Sequence, residues 1–280
     1  MPELPEVETV RATLKPRLLG LKITGVEVYH HKMIAPLDVK TFQKHLIGKT
    51  IEDIKRRGKY LLFYLGEMVL IVHLRMEGKF FIKSPDALKL KHEHIIFTLS
   101  NGVTLRYDDV RKFGTFTLVK AQELYHSLPL KKLGFEPGED ELTVNYLKSK
   151  LKSKRQIKTV LLDQTIILGL GNIYVDEVLF CAKINPTKLA YKVTKKEALK
   201  IIECSKSVIK KAVQLGGSSI RSYTDSLGVT GRFQNELNVH MQENTPCKVC
   251  QTPIKKIKVS QRGTYYCPQC QSLRKKANHG

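Results

Sequence analysis

No apolar run in this chain approaches the roughly 18 residues of a membrane-spanning helix. The N-terminus lacks the basic and apolar regions of a secretory signal peptide, so a soluble, cytoplasmic protein is expected. Acidic residues are in short supply: 26 Asp and Glu against 48 Lys and Arg leave a formal charge of +22. An excess of that size favours a polyanion held through release of its counterions, although ribosomal and membrane-surface proteins share it. Cysteine is sparse and unevenly placed, whereas a disulfide framework would be spread more evenly and is disfavoured in a reducing cytosol. Cys181 and Cys204 sit alone in helical patterns and read as small buried hydrophobes. The 280 residues suffice for two domains with real cores.

What is present begins with Met1-Pro2-Glu3-Leu4-Pro5-Glu6. Loss of Met1, expected before a residue as small as proline, exposes a secondary amine. An α-amino group has a reference pKa of about 7.7 to 8.0 and lysine one near 10.4, so the former is far more often unprotonated at neutral pH. Such an amine can attack a sugar aldehyde carbon and form an iminium, with Glu3 and Glu6 passing protons or holding the positive charge. The same residues also suit an ordinary helix start: Pro5 in the first turn, Glu6 and Glu8 at the positive end of the dipole, and an apolar stripe of Val7, Val10, Leu14 and Leu18 ending at Gly20. Spacing alone leaves both readings open.

From Lys22 to about Leu118 the pattern is mainly that of strands, including Tyr60 to Leu65 and Met68 to His73 around Gly66. His94 to Leu99 and Val103 to Tyr107 flank Asn101-Gly102, a strong hairpin signal. Only Asp38 to Leu46 interrupts as a helix, and a two-layered β-sandwich is the natural architecture. Lys59 lies in Arg56-Arg57-Gly58-Lys59-Tyr60, where a solvated loop charge is the ordinary reading. Met76, Arg111 and Phe113 flank glycines and fit a gap filler, a surface charge and a core aromatic; they equally fit a set that fills the hole left by an extruded nucleotide. His73 and His92 are solvated or core histidines on local pattern.

Turn residues and acids around Gly134 to Asp140 mark a boundary, giving expected domains at 1–133, 134–240 and 241–280. Lys148 to Lys158, including Lys152, is dense in lysine and reads as a helix face that is either solvated or in contact with phosphates. Gly169-Leu170-Gly171-Asn172 separates two apolar helical segments, and its glycines allow a tight turn leading to helix amides that can accept a phosphate. Thr194 and Glu197 form a capping-box pattern ahead of a long amphipathic helix that ends at Gly216-Gly217. Ser218 to Asn238 suits a mobile loop. Cys247-Lys248-Val249-Cys250 and Cys267-Pro268-Gln269-Cys270 carry the spacing of a four-thiolate Zn²⁺ site with no open position, hence a structural ion. Arg262 falls at the hairpin tip between the two pairs.

Pro2-Glu3-Leu4-Pro5-Glu6-Val7-Glu8-Thr9 resembles the N-terminus of bacterial formamidopyrimidine-DNA glycosylases, enzymes of 8-oxoguanine repair, and the resemblance continues through Gly171-Asn172 to the four cysteines. It implies an α+β fold: an N-terminal helix and β-sandwich, then a helical domain with a helix-two-turn-helix signature and a zinc-ribbon finger. It further implies a bifunctional glycosylase and abasic-site lyase acting on oxidised purines. In the family the N-terminal proline is the Schiff-base nucleophile and the next glutamate the proton donor, roles that fall to Pro2 and Glu3. Lys59 then serves β-elimination and Arg262 δ-elimination. Met76, Arg111 and Phe113 fill the vacated stack, while His73, His92, Lys158 and Asn172 contact DNA. The expected partner is double-stranded DNA with an oxidised base or abasic site, bound by a monomer at the bacterial nucleoid. Two other readings are a sister enzyme specific for oxidised pyrimidines, disfavoured by Leu4-Pro5 and the full Met76, Arg111, Phe113 set, and a non-catalytic zinc-ribbon nucleic-acid binder.

Overall fold

The structure is a computed structural model that describes residues 1–218 and 231–273. It divides into two compact units, one of Met1–Lys132 with Leu215–Arg232 and one of Leu133–Gln214 with Phe233–Gly280.

The first unit starts with α1 (Leu4–Leu18), whose Val7, Val10, Leu14 and Leu18 are buried as the apolar stripe requires. Then come β1 (Ile23–Val28), α2 (Val39–Leu46), β2 (Asp53–Arg57), β3 (Tyr60–Leu65), β4 (Met68–His73), β5 (Lys79–Lys83), β6 (Glu93–Leu99), β7 (Thr104–Asp108) and β8 (Thr115–Lys120). They form two four-stranded sheets, ordered β2-β3-β4-β8 and β1-β6-β7-β5, with every pairing antiparallel. Between the sheets Phe63, Phe80, Phe97, Tyr107 and Phe116 share one apolar core with the buried stripe of α1. The Asn101-Gly102 turn joins β6 to β7 as expected, with Gly102 at φ +83°. A second tight turn, Gly58-Lys59, joins β2 to β3 because Arg57 pairs directly with Tyr60.

The second unit holds α3 (Val144–Lys150), α4 (Ile157–Leu161), α5 (Asn172–Cys181), α6 (Lys195–Gln214) and the hairpin of β9 (Lys255–Val259) and β10 (Arg262–Tyr266). Thr194 and Glu197 cap α6 reciprocally: the Thr194 amide donates to the Glu197 carboxylate at 2.8 Å, and the Glu197 amide donates to Thr194 Oγ1 at 3.2 Å. The lysine-dense stretch from Lys148 to Lys158 is not one helix. Its middle leaves helical geometry because its backbone pairs with a later segment: Ile157 N donates to Lys188 O at 2.7 Å, and Ala190 N donates to Arg155 O at 2.9 Å. Cys181 and Cys204 also differ from expectation. Cys181 ends α5 on an exposed surface and is joined by a disulfide to Cys204 of α6. Packing of α5 on α6 brings their α-carbons to 5.8 Å, a span that a disulfide bridges. No helix of the described residues is long and apolar enough to cross a membrane.

Two glycines tie loop shape to the core. A β-carbon on Gly78 would lie 2.0 Å from the Tyr107 hydroxyl, and one on Gly114 would lie 1.8 Å from it. The turns after β4 and before β8 therefore close on one buried tyrosine. Gly114→Ala should cost about 3 kcal/mol through overpacking and shift the neighbouring turn. Urea unfolding of the variant would check this; an unchanged midpoint would mean that the turn has room to spare.

Candidate functional site

Pro2 is buried just before α1, whereas Met1 ahead of it is exposed. Glu3 caps the helix and Glu6 completes a capping box, its Oε2 accepting from Glu3 N at 2.9 Å. The other oxygen of Glu6 accepts from the amide of Ser218 at 2.7 Å and from its hydroxyl at 3.1 Å. Gly217 makes this approach possible, with φ +78° and no side chain where a β-carbon would stand 2.7 Å from Glu6 Oε1. The segment that follows, 219–230, lies outside the described residues, and so does most of the loop expected between Ser218 and Asn238.

Lys59 is buried rather than solvated, in the turn between β2 and β3. Arg56 fastens that turn to α1: its Nε donates to Glu8 Oε2 at 3.0 Å and its Nη1 to Gly58 O at 3.0 Å. His73, which pairs with Tyr60 across the sheet, is buried as well. Its pKa is pushed down to about 3, first by burial and then by the charges of Arg75 and Lys59. Its Nδ1 accepts from Arg75 N at 2.9 Å, so the neutral ring carries its proton on Nε2, a donor suited to an anionic oxygen.

Met76, Arg111 and Phe113 stand on the turns that close on Tyr107. Met76 is 40% and Phe113 52% exposed, and the Arg111 guanidinium lies 4.9 Å from the Phe113 ring centre. The backbone beneath them is tightly held. The buried carboxylate of Asp109 accepts from Arg111 N at 3.0 Å, Phe113 N at 2.9 Å and Gly114 N at 2.8 Å. Nearby, buried Arg106 donates to the carbonyls of Ser84, Ala87 and Leu88 and to Glu93, so one guanidinium shapes the loop that leads to His92. His92 Nδ1 is buried without a hydrogen-bond partner.

In the second unit, Lys158 is fully buried. Its ammonium donates to Asp176 Oδ1 at 2.8 Å, Thr264 Oγ1 at 2.8 Å and Gly263 O at 3.0 Å. Asn172 Nδ2 donates to the same Gly263 carbonyl at 3.0 Å, while its Oδ1 is buried without a partner. Two side chains thus hold the hairpin beside Arg262, which is exposed, as is Lys152. Asp176 also contacts His240 Nδ1 at 2.8 Å, and Glu177 accepts from the amides of Asn238, Val239 and His240. Asp176, Glu177, Asp109, Arg106, Arg56 and Tyr107 were not foreseen as site residues. Asp176-Glu177 carried a signal, since two adjacent carboxylates within an apolar helix need buried partners.

The sulfurs of Cys247, Cys250, Cys267 and Cys270 all lie within 4.8 Å of one another. Cys247 and Cys270 are 3.9 Å apart and Cys250 and Cys267 3.4 Å, bracketing the edge of about 3.8 Å for a tetrahedron with Zn–S bonds of about 2.3 Å. Burial pushes the Cys267 and Cys270 thiols up. A divalent cation reverses that penalty, and the four cysteines fit one structural zinc ion.

Two outcomes follow from the buried groups. Between its unfolded pKa near 6.5 and about 3, His73 binds a proton more readily unfolded, so stability rises with pH in that window and is lost as pH falls through it. His73→Gln should therefore lose less stability than wild type between pH 7 and pH 4 in urea titrations; equal losses would remove His73 as the cause. Lys158→Ala strips buried Asp176 Oδ1 of its ammonium partner, leaving only the contacts to Oδ2 from His240 and the Tyr265 amide, and should cost about 3 kcal/mol, read as an early unfolding transition. A shift below about 1 kcal/mol would mean that the site rehydrates without loss.

Models of known families match the chain in order: the formamidopyrimidine-DNA glycosylase N-terminal domain over residues 1–116, the formamidopyrimidine-DNA glycosylase H2TH domain over 133–224, and the zinc finger found in FPG and IleRS over 245–273. A formamidopyrimidine-DNA glycosylase of Bacillus cereus is 48% identical over 273 residues, 97% of this chain and 99% of the relative. One from Oceanobacillus iheyensis is 47% identical over 97% of this chain and 98% of its own length. The Lactococcus lactis enzyme bound to abasic-site DNA superposes with a TM-score of 0.90 at 44% identity, covering 96% of this chain and 99% of that one. With domain matches and full-length identity in agreement, the chain belongs to the formamidopyrimidine-DNA glycosylase family.

Proposed function

We propose that this protein is a DNA glycosylase and abasic-site lyase of base excision repair that removes oxidised purines, 8-oxoguanine and formamidopyrimidines, from double-stranded DNA. The observation that carries this reading is the position of Pro2: buried directly before Glu3, whose amide donates to the Glu6 carboxylate, and next to an exposed Met1. Relatives support the substrate class, since Lactococcus lactis structures include complexes with Fapy-dG DNA and with abasic-site DNA.

With Met1 removed, the Pro2 nitrogen attacks C1′ of the damaged nucleoside and displaces the base. Glu3 supplies the proton that opens the sugar ring. The resulting iminium acidifies C2′, so loss of that proton expels the 3′ phosphate and a second elimination expels the 5′ phosphate. Lys59, buried one strand from His73, moves protons in the first elimination and Arg262 in the second. Glu6 stays with Glu3 and Ser218 as the group that fixes the centre rather than as the principal proton carrier. The His73 Nε2–H donates to a phosphate, and His92 contacts a second one. Met76, Arg111 and Phe113 enter the stack from which the nucleotide leaves.

Asn172, Lys152 and Arg262 make the phosphate contacts of the second unit, while Lys158 acts through Gly263 by holding the hairpin. For the domains we propose a catalytic domain at 1–133, a helical DNA-binding domain at 134–240 and a zinc finger at 241–280, with Leu215–Arg232 of the second stretch grouped with the first compact unit. The protein works as a monomer in the bacterial cytoplasm, held at the nucleoid by its charge of +22.

Borohydride should trap a covalent adduct between protein lacking Met1 and duplex DNA containing 8-oxoguanine. No adduct, or an adduct that survives Pro2 acetylation, would end the lyase assignment. Parallel reactions on an oxidised pyrimidine would rank the two substrate classes. Salt dependence separates contact from support: Lys152→Ala should flatten the logarithmic salt slope of DNA binding by about 0.9, whereas Lys158→Met should weaken binding with the slope unchanged. A slope altered by Lys158→Met would restore it as a direct phosphate ligand.

A further inference from the structure

We propose that Cys181 and Cys204 form a reversible thiol–disulfide site that closes in response to a hydroperoxide and fastens α5 to α6. The two residues are joined in the structure, their α-carbons 5.8 Å apart and their positions 23 residues apart in sequence. They differ in access. Cys181 is the exposed last residue of α5, whereas Cys204 is buried within α6. That is the arrangement of an attacking thiol open to solvent and a resolving thiol held behind it. The other four cysteines converge on the metal centre, so this pair is separate from it. The two sites are nevertheless neighbours along α5, because Phe180 packs in one cluster with Cys247 and Cys267.

A reducing cytosol keeps both thiols open at rest. On exposure to a hydroperoxide, the Cys181 thiolate attacks the peroxide oxygen, breaking the O–O bond to give a sulfenic acid and water or an alcohol. The Cys204 thiolate then displaces the sulfenic oxygen as hydroxide, which takes up a proton. Two thiols are oxidised by two electrons and one peroxide bond is reduced by two; a cellular dithiol reverses the change. Closure removes freedom from the unfolded chain and pins the end of the helix that also carries Asn172, Asp176 and Glu177. Neither cysteine is among the residues assigned to the activity proposed above.

The full-length, zinc-loaded, reduced protein should be titrated with hydrogen peroxide while zinc release is followed with a chelating dye, cysteine state by differential alkylation and peptide mass, and Tm by calorimetry. The 181–204 link is expected to form before zinc leaves, to raise Tm by about 5 to 10 °C, and to reverse with dithiol. Cys181→Ser, at an exposed position, should fold as the reduced wild type does yet lack both the link and the rise; Cys204→Ser should do the same. Zinc release while both thiols are still alkylated, a Cys181 sulfinic acid without a link, or a link without a rise in Tm would each overturn the proposal.

Discussion

Glu6 accepts hydrogen bonds from the amide of Glu3 and from the amide and hydroxyl of Ser218. A buried carboxylate is tolerated only when its oxygens are satisfied, so withdrawing either partner exposes an unsolvated charge. The same few atoms close the first turn of α1, set the backbone just after Pro2, and seat the chain where it returns after α6. Gly217 is required because a β-carbon there would collide with Glu6. The order of the N-terminal centre thus depends on a segment more than two hundred residues away, brought in by one carboxylate.

The same device recurs wherever a loop must keep its shape. Asp109 gathers three successive-turn amides, Arg106 gathers three carbonyls, Glu177 receives the amides of Asn238 to His240, and Lys158 holds Gly263 and Thr264 against Asp176. Buried charges contribute little net stability compared with well-packed apolar residues, because desolvation offsets their attraction to their partners. Their use here is geometric: each fixes backbone that regular hydrogen bonding leaves irregular. The chain divides its charge accordingly, with inward charges setting loop shape and exposed ones such as Lys152 and Arg262 left facing solvent.

Features written in short-range spacing were legible before the fold was seen. The Asn101-Gly102 hairpin, the Thr194 and Glu197 cap, the stripe of α1 and the four-cysteine pattern each need only a few neighbouring residues to declare themselves. Lys158 was not legible, since it sits in a row of lysines and its burial depends on Asp176 and on a hairpin over a hundred residues later. The break in the lysine-dense stretch was equally hidden, because its cause is pairing with residues near Lys188 and Ala190. The Cys181 and Cys204 pair escaped notice because local helical pattern says nothing of which two helices touch.

Phe113 and Met76 raise a sharper physical question, since large apolar side chains left in water gain nothing for the isolated protein. Scattered exposed hydrophobes are common and need no explanation. Here, however, the backbone below them is fixed by Asp109 and by Gly78 and Gly114 closing on Tyr107. Rigid support under an exposed apolar tip makes sense when the tip is to be buried later, because the entropy of ordering it is then lost on folding and not on binding. A wedge into a base stack needs that arrangement: stiff, since unstacking costs several kcal/mol, and apolar, since it replaces a base.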